Sequence, residues 1–348
     1  MKKALKYIVL PLLALLLLTE AFLRRQPAIS ASVQERRMHC MDKTGLIFLC
    51  ENQSRQLQGP MGSKWMLSTN RYGERITHPL ELAKDSPLAE SNPTVKEVWV
   101  MGDSISMGYL LSDPYSPPYL LSRLTGIRTR NLGVDSLGTR GIRIRLEDAL
   151  EYRAIKPEHI FWIYNVSDYM DDFREEKLLK NRLYRFAYRL HFNLAKASYL
   201  YALTRMQPQT TVSDTIQDPA SDAEKEPELQ IPDDHPTVKH LRDFAAFIKD
   251  HELPVTVIFY PGMLPSGKAD TDDPYRKKSM EVLKEAGIEI MDLTKPFVEG
   301  ENMYIAGNGH PTERAAAVFA SAMAGKLAMS HPLELEKKLG TAGFWKEL

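Results

Sequence analysis

Two side chains far apart in the chain have the types and settings that nucleophilic catalysis needs. Ser104 sits in Val98-Trp99-Val100-Met101-Gly102-Asp103-Ser104-Ile105-Ser106-Met107-Gly108, where an apolar run stops at a glycine. A serine directly after a strand is held at the carboxyl edge of a sheet, with its hydroxyl exposed and its own N–H able to face a developing oxyanion. The same position also suits a serine that only caps a helix. A phosphate-cradling loop is a poor fit, because no lysine follows and the glycines lack that spacing. A nucleophilic hydroxyl needs a base, and Met303-Tyr304-Ile305-Ala306-Gly307-Asn308-Gly309-His310-Pro311-Thr312 offers one in a glycine-rich loop that runs into the helical stretch 313–329. Of the nine histidines, His310 alone stands on such a loop after a core strand; the competing reading is a histidine that merely starts a helix.

Other polar clusters carry less. Asp168, Asp171 and Asp172 have no histidine or further carboxylate paired with them by spacing, so they read as a solvated loop in preference to a metal site. Arg140 suits an anionic or sugar substrate, yet with Arg143 and Arg145 it reads equally as an exposed helix face. No motif asks for a cofactor, and none is expected.

The elements that must position Ser104 and His310 are visible as short apolar runs at 98–101, 128–132, 160–164, 255–260 and 289–291. Segments of helical spacing, such as 118–124, 141–152 and 243–251, lie between them. Alternation of strand and helix predicts a parallel sheet covered by helices on both faces, with a ligand site at the carboxyl ends of the strands. Two segments interrupt the order. Residues 174–206 place Leu179, Leu183, Phe186, Leu190, Leu194, Ala197 and Tyr201 at steps of three and four among basic residues, which predicts a long amphipathic helix or a helix pair whose basic residues form a solvated outer face in preference to one turned to anionic lipid or polymer. Residues 207–234 hold four prolines and eight acidic residues against one lysine, without aromatics, and read as a flexible acidic insertion within one domain.

The whole chain has 348 residues, 43% of them hydrophobic, with 45 Lys+Arg against 45 Asp+Glu. That balance excludes the concentrated basic excess of a nucleic-acid binder, and the apolar fraction excludes a wholly disordered chain. Lys2, Lys3 and Lys6 precede the uncharged run 7–18, so residues 1–25 read as an export segment. The run is shorter than the roughly 20 residues of a spanning helix, which suits a cleaved signal peptide. Arg24 and Arg25 suit an uncleaved anchor with Tyr7 to Leu23 in the membrane, the preferred reading. In both cases the remainder is expected outside the cytoplasm, facing the periplasm or cell exterior. There the only two cysteines, Cys40 and Cys50, are expected to join, the alternative being two unrelated buried thiols. Residues 26–94 read as an irregular lead-in with an extended segment from Trp65 to Arg71, 95–330 as the folded domain and 331–348 as a tail.

Four blocks together carry a family resemblance. Gly102-Asp103-Ser104, Asn131-Leu132-Gly133-Val134, Asn165-Val166-Ser167-Asp168 and His310-Pro311, in order and each after a strand, resemble the blocks of the SGNH (GDSL-type) hydrolases. Thr69-Asn70-Arg71-Tyr72-Gly73-Glu74-Arg75 also resembles the lead-in of membrane-anchored bacterial members. The resemblance implies a three-layer α/β/α sandwich on a five-stranded parallel, flavodoxin-like sheet, and serine-based ester chemistry. It makes Ser104 the nucleophile and one oxyanion donor, and His310 the base.

Three positions depart from the pattern. The second-block glycine aligns with Ser136, whose backbone N–H survives the exchange. The third-block asparagine aligns with Ser167, and Asn165, two residues earlier, is a candidate substitute. The acid three residues before the histidine is Gly307 here, which leaves a carbonyl, a water, another carboxylate such as Asp292, or a Ser–His dyad. The expected activity is that of an exported esterase or deacetylase on an acylated glycan or lipid ester of the cell envelope. The alternatives are an O-acyltransferase using the same serine and a non-catalytic domain that binds a glycan or protein.

Overall fold

The computed structural model describes residues 2–59, 62–82, 96–153, 155–205 and 231–330. Most of the acidic insertion and the tail 331–348 lie outside the described residues.

The five apolar runs form one sheet because their side chains are buried on both faces. Along β5 (Glu97–Gly102) all six residues are buried. Val98 and Val100 face one core with Phe161, Phe319 and Met323, while Trp99 and Met101 face the other with Trp162, Phe244 and Leu283, the period-two alternation of a strand covered on both sides. After β5 come α3 (Ser104–Met107), α4 (Pro117–Thr125) and β6 (Arg128–Asn131). Next are α5 (Thr139–Arg153), β7 (His159–Ile163), α6 (Asp168–Lys180), α7 (Arg182–Ala197) and α8 (Tyr199–Arg205). Beyond the insertion follow α9 (Pro236–Asp250), β8 (Val255–Phe259), a small hairpin of β9 (Gly262–Met263) and β10 (Ala269–Asp270), α10 (Pro274–Glu285), β11 (Glu289–Asp292), α11 (Thr294–Glu299) and α12 (Glu313–Ser330). The sheet runs β11-β8-β7-β5-β6, all parallel. Its strand order reverses beside β5, so the loops after β5 and β7 flank the crevice where doubly wound sheets bind ligands.

Local chemistry sets the boundaries that periodicity misses. α9 starts at Pro236, well before 243, because the His235 side chain accepts from the Thr237 N–H and proline occupies the first turn. The stretch 174–206 divides into three helices. Asn181 is extended and accepts from the Tyr184 N–H, and Ser198 is extended at the end of α7. Asp168, Asp171 and Asp172 are not in a solvated loop: they form the first turns of α6, where Asp168 and Asp172 are fully buried.

The lead-in is regular where it is described. α1 (Lys2–Leu23) and α2 (Pro27–Arg37) precede two hairpins, β1 (His39–Met41) with β2 (Ile47–Leu49) and β3 (Ser54–Gln58) with β4 (Lys64–Ser68). A disulfide joins Cys40 to Cys50 with Cα atoms 5.0 Å apart. Among the described residues no helix is long and apolar enough to cross a membrane. The uncharged run is short, and Glu20 is used by the folded chain: its carboxylate accepts from Ser198 Oγ and from the N–H groups of Tyr199 and Leu200 at the start of α8. Leu23 packs with Val33, Tyr199 and Ala202.

Residues 69–75 plug into the domain with buried charges. Arg75, fully buried, pairs with Asp113 at 2.9 Å and donates to the carbonyls of Met107 and Gly108 at the end of α3. Glu74 binds Arg153, and Arg130 bridges Glu81 and Glu97. Burial alone would raise the Glu74 carboxyl, but Arg153, Arg130 and Arg145 hold it down at about 2.

Candidate active site

Ser104 is brought to its position by backbone that only glycine supplies. Gly102 has φ of 141°, and a Cβ there would lie 2.2 Å from Ser106 Oγ and 2.4 Å from the Ile163 carbonyl oxygen, so the chain turns sharply off β5 into α3. Asp103 then caps α3, its carboxylate accepting from the Ile105 N–H at 2.9 Å. The Ser104 side chain is left at the start of the helix, 9% exposed.

His310 meets it from the other end of the chain. The Tyr304–Pro311 bridge and the Ile305 N–H bond to the His310 carbonyl fold the loop back on itself. His310 Nε2 lies 3.1 Å from Ser104 Oγ, and Nδ1 lies 2.5 Å from Asn308 Oδ1. With Nδ1–H donating to the amide oxygen, the lone pair on Nε2 faces the serine hydroxyl, the tautomer a general base requires. The partner at Nδ1 is therefore Asn308, not Asp292. Asp292 accepts from Arg276 and from the Thr294 N–H and hydroxyl, and borders a different surface hollow, with Lys295 and Glu299. Burial pushes the His310 imidazole below its usual value, against the field of the Asp135 carboxylate and the hydrogen bond to Asn308, which pull it up.

The oxyanion candidates divide in two. The N–H groups of Ser104 and Ser136 belong to residues on the wall of one cavity of about 560 Å³ that also holds His310. Ser136 has φ of 60°, and its carbonyl accepts from Arg174, which also donates to Asp171 at 2.6 Å. Asn165 and Ser167 meet on one side, as their two-residue spacing suggests, but both turn onto Asp103. Asn165 Nδ2 donates to Asp103 Oδ2 at 2.6 Å and to Ser167 Oγ at 2.8 Å, and Ser167 Oγ donates to the same carboxylate oxygen at 3.0 Å. Both hydrogens of the Asn165 amide are thus engaged. Burial nonetheless raises the Asp103 carboxyl above its usual value.

The remaining wall was not legible beforehand. Glu35 and Arg36 of α2, His39 of β1, Tyr109, Asp135 and Tyr188 of α7 form much of it. His39 Nε2 bonds Asp135, next to Ser136, and Nδ1 bonds the Glu35 carbonyl at 3.1 Å. Burial would push His39 down, yet the charge and hydrogen bond of Asp135 carry it above the usual histidine value, while His39 holds Asp135 low against its burial. Tyr109 donates to Glu35 at 2.8 Å and lays its ring 4.9 Å from that of His310. The only signals in the sequence were positional: His39 adjoins Cys40, and Asp135 adjoins Ser136.

Behind this wall, carboxylates of α6 meet the start of α5. Glu175 accepts from the Gly138 N–H and Asp172 from the Arg140 N–H. Gly138 is so close to α6 that a Cβ would lie 2.5 Å from Asp172 Oδ1. Burial raises Asp172 to about 8 and Glu175 to about 7. Among the described residues no group of three or more His, Cys, Asp or Glu is arranged to hold a metal. Arg145 is buried and donates to the carbonyls of Tyr72 and Gly73, so it is not part of an exposed face. Arg140 does not line the Ser104 cavity.

No family model and no curated protein matches the chain. Solved structures do. A member of the lipolytic protein G-D-S-L family from Veillonella parvula shares 17% identity over 68% of this chain and 98% of that one, with a TM-score of 0.36. The lipase/acylhydrolase from Enterococcus faecalis shares 14% over 68% and 97%, with a TM-score of 0.41. The psychrotrophic esterase EstA from Pseudoalteromonas sp. shares 11% over 67% and 97%, with a TM-score of 0.40. In its all-parallel five-stranded sheet, the order of its four blocks and the contact between Ser104 and His310, the chain resembles the SGNH (GDSL-type) hydrolases.

Proposed function

We propose that the chain is an exported serine esterase or deacetylase acting on an acylated glycan or lipid ester of the cell envelope. The observation that carries the reading is the 3.1 Å approach of His310 Nε2 to Ser104 Oγ, with Nδ1 occupied by Asn308. Ser104 Oγ attacks the acyl carbonyl as its proton passes to His310 Nε2, and the N–H groups of Ser104 and Ser136 receive the oxyanion. His310 then returns the proton to the leaving alcohol. Water repeats the sequence to release the acid, or a sugar hydroxyl takes the acyl group, which makes the protein an O-acyltransferase. Asn308 in place of a carboxylate orients His310 but offers no charge to its protonated form. The field of the Asp135 carboxylate, itself hydrogen-bonded to His39, raises the His310 value and gives the protonated ring anionic support. Arg36, Arg174, Tyr109 and Tyr188 give the cavity a polar rim with two aromatic faces, which suits a hydroxyl-rich acyl carrier. The Cys40–Cys50 disulfide fits an oxidising compartment.

A rival reading, a non-catalytic domain that binds a glycan or protein, draws on the engagement of Asn165 and Ser167 by Asp103. A fluorophosphonate probe separates the two. Labelling of the wild type that vanishes in Ser104→Ala, with hydrolysis of short acyl esters lost in parallel, supports the esterase. A folded wild type that takes no label selects the binding domain.

A further inference from the structure

Helix α7 presents the apolar stripe that the sequence pattern would aim at a core, but it aims the stripe outward. Leu183, Phe186, Leu190 and Leu194 are 76%, 65%, 50% and 38% exposed, while Phe192 and Ala195 are the buried residues of the helix. Along one flank run Arg182, Arg185 and Arg189, and with Lys43 from the β1–β2 turn they border the same surface hollow as Phe186 and Leu190. The helix contains no acidic residue. A continuous apolar stripe on a surface marks a contact, and a row of arginines along its margin, uncompensated on the same helix, specifies the occupant's charge.

From this juxtaposition we infer that α7 is a membrane-surface helix that lies on anionic lipid, with its leucines and phenylalanine among the acyl chains and its arginines at the headgroups. An anionic polymer would use the arginines and leave the stripe in water. A protein with an apolar face would cover the stripe and leave the arginines unanswered. A lipid surface of negative charge uses both. The helix has 16 residues and lies flat on its own domain, so the contact is with a surface and does not span. The opposite side of the same helix carries Tyr188 and Phe192 into the Ser104 cavity. A helix with its side chains is about 10–12 Å thick, which sets that cavity one helix away from the lipid. The inference stands whether or not Ser104 is catalytic.

The test exploits the disulfide. The described residues contain no free cysteine, and the chain has only two cysteines in all, so Phe186→Cys introduces a single thiol for an environment-sensitive fluorophore in the full chain. Asp243→Cys, at an exposed position of α9, provides the matched control. With vesicles of phosphatidylcholine and phosphatidylglycerol, the label at 186 is expected to shift to the blue and brighten severalfold, while the label at 243 stays water-like. Arg182→Gln combined with Arg189→Gln is expected to weaken partitioning about thirtyfold, since each basic residue near an anionic surface is worth about fivefold. A label at 186 that stays water-like on vesicle-bound protein overturns the inference, as does an equal shift on phosphatidylcholine alone. A shift that grows with protein concentration and needs no vesicles also overturns it, by assigning the face to a second copy.

Discussion

At the scale of single residues, the decisive substitution is Asn308 where the family pattern leads one to look for a carboxylate one position earlier. An amide oxygen holds the imidazole in the required tautomer but supports the imidazolium less than a carboxylate would, and burial carries the His310 value below its usual one. Because a general base must be neutral, the acidic limb of kcat/KM is expected below the usual histidine value. Asn308→Asp adds a negative charge at Nδ1, raises the His310 value and moves that limb to higher pH. Asn308→Leu removes the hydrogen bond, about 1 kcal/mol, and lowers kcat/KM about fivefold. A pH profile unchanged by Asn308→Asp would reject this role. Ser104 and His310 were readable because a motif fixes each to a strand end. Asn308 was not, because its role depends on how the loop folds back through Ile305 and His310.

At the scale of elements, the hairpin of β1 and β2 joins the lead-in to the candidate site. β1 begins with His39, which holds Asp135 beside Ser136, and the disulfide ties the next residue, Cys40, to Cys50. Cys40→Ala with Cys50→Ala is expected to lower stability by about 2–3 kcal/mol, as for other short disulfide loops. It should also reduce turnover by loosening the Ser136 donor. Thermal unfolding and ester hydrolysis of the folded fraction check the two effects, and turnover that survives intact would detach the hairpin from the site. The five sheet strands were legible because burial on both faces leaves apolar runs. Of the lead-in hairpins only β4 was legible, as an extended segment from Trp65; β3 reads Ser-Arg-Gln-Leu-Gln and only Leu57 is buried. The outward stripe of α7 shows the limit of periodicity: spacing identifies an apolar face, and only packing shows where it points.

At the scale of the whole molecule, the lead-in is fastened by ion pairs that a sequence reader assigns to the surface. Glu74, Arg75, Arg130 and Arg153 are all buried. A carboxyl depressed from 4.5 to about 2 contributes stability that is fully present above its unfolded value and is lost as pH falls through its folded one. Acid is therefore expected to weaken the fold progressively between about pH 4.5 and 2. Glu74→Gln leaves Arg153 buried without its counter-charge, should cost about 3–5 kcal/mol at neutral pH, and flattens that acid limb. Denaturant midpoints measured across the range decide it, and a variant with the wild-type acid profile would remove Glu74 from the account.

Ser104 and His310 are 206 residues apart in the chain, and the wall between them is finished by residues of the first forty. A ribosome releases these parts in sequence: the first wall residues, then the hydroxyl, then the rest of the wall, and the base almost last. Until the closing loop emerges and docks, the serine lacks the His310 acceptor, so an unfinished polypeptide holds its nucleophile idle.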